Sequence, residues 1–138
     1  MKKMLIGVVA VFITLELLDF LIHGVILMST YAAMQNVWRP DMMAKMWVLH
    51  VVKIITAFFF VLIFSKGYEN KGIMEGLRYG FYIGMIVSSG FAFGSYASFP
   101  IPHALALHWF ILTLGEYLIA GVVVAQVYKQ AKGSASKS

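Results

Sequence analysis

Cysteine is absent from the 138 residues. That excludes disulfides, iron-sulfur clusters and thiolate metal sites, so a metal would need His, carboxylate or Met ligands. Charge is scarce as well: 12% of residues are Asp, Glu, Lys or Arg against 61% hydrophobic, too little polar surface to clothe a water-soluble globule of this size. Also missing are a phosphate-binding glycine loop, a nucleophile and base at recognisable spacing, and a His-Glu-x-x-His motif, which leans the reading away from an enzyme. The formal charge is +5, but the basic residues sit in short flanks beside apolar runs, with no stripe interleaved with exposed aromatics. Nucleic acid is therefore not an expected partner, and the lipid bilayer is.

What is present is apolar length. A lipid-spanning helix needs about 20 largely apolar residues, each adding ~1.5 Å across a hydrocarbon core of roughly 30 Å. Four segments qualify, at about residues 4–33, 44–64, 74–98 and 103–128. The connectors between them carry the breakers: Trp38-Arg39-Pro40-Asp41, Ser65-Lys66-Gly67 with Asn70-Lys71-Gly72, and Pro100-Ile101-Pro102. The expected fold class is an all-α, polytopic, up-down-up-down transmembrane four-helix bundle in one domain (1–131), followed by a flexible polar tail (132–138). The basic start Met1-Lys2-Lys3 resembles a secretory signal, but the apolar run continues through Glu16 and Asp19 without a small-x-small cleavage site, so the first helix is expected to stay.

Lys and Arg near helix ends set orientation. Eight of them (Lys2, Lys3, Lys66, Lys71, Arg78, Lys129, Lys132, Lys137) fall on one face and two (Arg39, Lys45) on the other. The termini and the middle loop are thus expected in the cytoplasm, in a bacterial cytoplasmic membrane. Tyr31, Trp38, Trp47, Tyr96 and Trp109 then lie near the outer boundary, and Tyr68, Tyr79 and Tyr128 near the inner one, as interfacial belts.

In the third segment Gly76, Gly80, Gly84, Ser88 and Ala92 recur every four residues and form a small-residue groove. Such grooves let a neighbouring backbone approach closely, either within the bundle or across a homodimer or to another membrane protein.

The informative residues are ionisable groups at membrane depth, where a charge costs about 2.5 to 3.5 kcal/mol on insertion scales. Glu16, Asp19 and His23 share one face of the first helix, His50 and Lys53 one face of the second, and the fourth carries His108 and Glu116. Opposed helix directions put His23, His50 and His108 in an outer layer, with Glu16, Asp19, Lys53 and Glu116 in a second layer close to the midplane. As a scaffold, Lys53 pairs with Asp19, Glu16 or Glu116, and the cluster fixes helix order. As a site, His23, His50 and His108 hold a metal or haem: His23 and His50, on adjacent helices, suit a shared divalent metal ion, and His50 and His108, on diagonal helices, suit haem between them. The other expected roles are a non-catalytic accessory or assembly subunit of a larger membrane complex, and a small proton or solute conduit through the polar core.

The stretch Gly76 to Tyr128, with Gly-x-x-x-Gly-x-x-x-Gly, Phe99-Pro100-Ile101-Pro102 and Gly121, resembles small uncharacterised four-helix membrane proteins from bacteria, and the hairpin with Asp19, His23, Trp38, Arg39 and Pro40 is similar in style. The resemblance implies the fold and carries no activity.

Overall fold

The structure, a computed structural model, describes the backbone of residues 1–135 and the side chains of residues 1–129. The described residues form five α-helices and no strand: α1 (Lys2–Leu21), α2 (Met28–Ala32), α3 (Met46–Gly67), α4 (Ile73–Ser98) and α5 (His103–Ala135). Three stretches are long and apolar enough to cross a membrane, Lys2–Ile26, Met43–Gly67 and His103–Lys129. α4 has the length, 26 residues, but its glycines and serines hold its hydropathy down. The polar tail expected over 132–138 lies outside the described side chains and, past Ala135, outside the described backbone.

The first segment departs from the single helix expected through Ala33. After Leu21 the chain widens into a π-helical turn, Ile22–Ile26, closed by Leu27 N–H donating to the Ile22 carbonyl five residues back at 2.9 Å. Leu27 leaves helical geometry at φ −97°, ψ 2°, and α2 restarts after it. Apolarity alone could not reveal this break, because Ile, Val and Leu continue on both sides of it. Two 3-10 turns, Gln35–Val37 and Met43–Lys45, lead to α3. Between them Arg39 Nε donates to Asp41 at 2.5 Å and holds that carboxyl below the usual carboxylate range. The α3–α4 turn needs left-handed backbone at Asn70 (φ 63°) and Gly72 (φ 77°). Glu75 steadies it by accepting the backbone N–H groups of Glu69 (2.5 Å) and Lys71 (2.7 Å).

α4 lies along α5, and α1 packs on both α5 and α3. The α4–α5 seam is where the small-residue stripe goes: Gly76, Gly80, Gly84, Ser88 and Ala92 are all buried. A Cβ on Gly76 would collide with the Gly121 carbonyl oxygen, and one on Gly121 with that of Gly76, so backbone touches backbone. Such contact supplies van der Waals attraction where apolar solvent offers no hydrophobic drive.

Two apolar cores occupy opposite ends. The lower one joins Val11 and Leu15 of α1, Ala57, Phe60, Val61 and Phe64 of α3, and Tyr117, Ala120, Val124 and Tyr128 of α5. The upper one joins Ile22, Leu27, Ala92, Ile101, Leu105, Ala106 and Trp109, and takes nothing from α3. Leu5, Ile13, Leu17, Phe20, Ile54, Ile86 and Ile111 instead face outward, an apolar exterior suited to lipid.

Candidate functional site

Between the two cores lies a polar waist. On α1, Glu16 and Asp19 sit between Leu15 and Ile22 of the opposite cores; on α3, Lys53 precedes Ala57; on α5, Thr113 and Glu116 fall between Trp109 and Tyr117. Helical spacing puts each set on the same face as the core residues beside it, so the chain alternates dry and polar layers within one interior.

Each carboxylate oxygen at the α1–α3 contact faces a partner, with Lys53 shared between two of them. Lys53 Nζ is paired with Asp19 Oδ2 and lies 3.8 Å from Glu16 Oε2. Glu16 Oε1 takes His50 Nδ1 at 2.8 Å, and Asp19 Oδ1 faces His23 Nε2 at 3.5 Å. His23 Nδ1 is hydrogen-bonded to the Tyr31 hydroxyl, which accepts the indole N–H of Trp109 at 2.6 Å. The roles at this contact follow the histidine tautomer: a proton on Nε2, towards Asp19, leaves Nδ1 to accept from the Tyr31 hydroxyl. The result is one series of hydrogen bonds and ion contacts: Trp109, Tyr31, His23, Asp19, Lys53, Glu16, His50.

The π-turn explains how Tyr31 reaches His23. On a straight helix, residues eight apart are turned well away from each other; the widened turn and the break at Leu27 bring their rings parallel, 5.8 Å apart. Trp38 Nε1 donates to the Tyr31 carbonyl at 3.2 Å, and Phe91 stacks on Trp109 at 4.8 Å. Tyr31, Trp38 and Trp109 therefore roof the waist, whereas Trp47 (63% exposed) and Tyr96 (46%) point outward.

The structure does not gather the three histidines. His23 belongs to Tyr31 and Asp19, His50 to Glu16, and His108 is exposed on α5. Among the described residues no group of three or more His, Asp or Glu side chains is placed to hold a metal ion. Lys53 selects Asp19 and Glu16. Glu116, 6% exposed, has no hydrogen bond or ion pair among the described residues and faces the charges of Asp19, Lys53 and Glu16.

Access is uneven. Lys53 is 16% exposed and His50 54%, because the upper half of α3 stands outside the upper core. Below the waist the interior closes on aromatic rings: Phe60 against Tyr79 and Tyr117, and Phe64 against Tyr68, Tyr79 and Tyr128. Tyr79 adds a hydroxyl hydrogen bond to the Phe60 carbonyl at 2.5 Å. Tyr31 and Tyr79 were legible in the sequence as interfacial aromatics, and Trp109 as either an interfacial ring or, beside His108, the wall of a cofactor pocket; a local hint of the roof was Gly24 directly after His23.

Comparison with protein-family models, with curated proteins and with solved structures gives no match for this chain.

Proposed function

We propose that this is a small four-span integral protein of a bacterial cytoplasmic membrane, with both termini cytoplasmic, that acts as a proton or small-cation conduit. The observation that carries this reading is the side-chain chain from Tyr31 to His50, in which every neighbour is a titratable or hydroxyl group and one ammonium serves two carboxylates. Ionisable groups are costly in a bilayer and mark ion and proton pathways when they are linked in this way. The basic flanks place the His50 and Tyr31 side outside, so the waist opens to the outer half of the membrane and the aromatic layer around Phe60 and Tyr117 closes it from the cytoplasm.

The fourth span is α4. A helix needs apolar side chains only where it meets lipid, and α4 buries its glycine and serine stripe on α5 while Phe81, Tyr82, Ile86 and Phe93 face outward. Metal and haem chemistry finds no supporting donor set among the described residues.

The test is proton movement in proteoliposomes under an imposed potassium diffusion potential, read with an entrapped pH indicator. The purified chain is expected to raise proton entry above that of empty liposomes, and Asp19→Asn, which breaks the chain at its centre, to abolish the increase. Equal traces for protein-containing and empty liposomes would remove the conduit reading.

A further inference from the structure

The waist holds three carboxyls, Glu16, Asp19 and Glu116, against one ammonium, and that ammonium is already divided between Asp19 and Glu16. Glu116 is the most buried of the three, buried where Glu16 and Asp19 are partly exposed. It has no hydrogen bond or ion pair among the described residues, and its oxygens keep slight contact with the surface, since the fully buried side-chain polar atom without a partner there is Ser88 Oγ. Among the described residues the charged groups facing it are Asp19 and Glu16 from α1 and Lys53 from α3, with Tyr117 beside it on its own helix and no charged group from α4. An ionised carboxylate left without a donor in a low-dielectric interior, beside two like charges, is the arrangement that protein interiors avoid; the group takes a proton instead.

We propose that Glu116 is a proton-exchange site: the waist carboxyl without an ammonium of its own, which takes up and releases a proton while Asp19 and Glu16 share Lys53. When Glu116 releases its proton, the new carboxylate becomes a third claimant for Lys53, so loss of the proton and displacement of the ammonium from Asp19 and Glu16 are coupled. The site deepens the conduit reading by naming its proton carrier, and it rests on that reading only for the destination of the proton.

Dicyclohexylcarbodiimide tests the assignment, because it is apolar and reacts with protonated carboxyls. The acid proton moves to a carbodiimide nitrogen, the carboxyl oxygen bonds to the central carbon, and the adduct rearranges to a stable N-acylurea. With the full chain in membranes near neutral pH, peptide mass spectrometry across its six Asp and Glu residues is expected to find the adduct on Glu116. The label should decline as pH rises and be absent from Glu116→Gln. That variant, a neutral isostere of the protonated acid, should keep the parent's melting temperature in mild detergent. An adduct on Asp19 or Glu16 with Glu116 unmodified, no adduct on Glu116 at all, or a lowered melting temperature for Glu116→Gln would each overturn the assignment. Proton flux with an unlabelled Glu116 removes this inference and keeps the conduit, whereas a labelled Glu116 in a chain that passes no protons does the reverse.

Discussion

Lys53 of α3 and Asp19 of α1 form the ion pair on which the upper half of α3 depends, since α3 gives no side chain to the upper apolar core. Lys53→Met removes the one cation from two half-buried carboxylates. Breaking one side of a buried pair costs about 3 to 5 kcal/mol, so the variant should unfold earlier in mild detergent by thermal or denaturant titration. His108→Ala, which alters only an exposed side chain, should leave the transition in place. Equal stability of Lys53→Met and the parent would show that the pair does not hold α3.

The roof gives a second prediction. Tyr31→Phe deletes the hydroxyl that accepts the Trp109 indole proton and bonds His23. Leaving a buried donor unsatisfied costs about 1 to 3 kcal/mol. The variant should melt earlier, and Trp109 emission, isolated in a Trp38→Phe, Trp47→Phe background, should shift. Unchanged stability and emission would mean that the hydroxyl bridge contributes nothing.

Gly76 and Gly90 form an internal control on α4. A Cβ at Gly76 meets the Gly121 carbonyl and Ala125, and one at Gly90 meets nothing within 4 Å. Gly76→Ala should destabilise by about 1 to 3 kcal/mol, the usual cost of overpacking, while Gly90→Ala should be neutral or gain up to about 1 kcal/mol from helix propensity. The same outcome for both variants would mean that α4 is not held on α5 by this seam.

Topology is checked with reporters. One fused after Ser138 and one inserted at Glu69 should both report the cytoplasm, because the Lys and Arg flanks dominate insertion. Opposite sides for the two would rule out four spans.

The helical class and the positions of α3, α4 and the start of α5 were legible because apolar length and breakers carry them directly. So was the pairing choice of Lys53, narrowed to three carboxylates by spacing on each helix face. The widened turn after Leu21 was not, since no residue in Ile22–Ile26 disfavours a regular helix except Gly24, and without that turn Tyr31 points away from His23. The histidine layer expected from depth alone did not assemble, because depth fixes height along a helix and not rotation about it. His50 faces Glu16 on α1, and His108 is exposed on α5.

The uneven opening of the waist is the feature on which the account depends, and the cysteine-free chain allows it to be tested with a single introduced thiol. His50→Cys places that thiol at the exposed end of the side-chain chain, on the face that meets Glu16. A membrane-impermeant thiol reagent added to intact cells should label it from outside, and the same reagent given only to the cytoplasmic side of inverted vesicles should not. Labelling from the cytoplasmic side, or none from outside, would contradict a waist open outward and sealed below by the rings around Phe60.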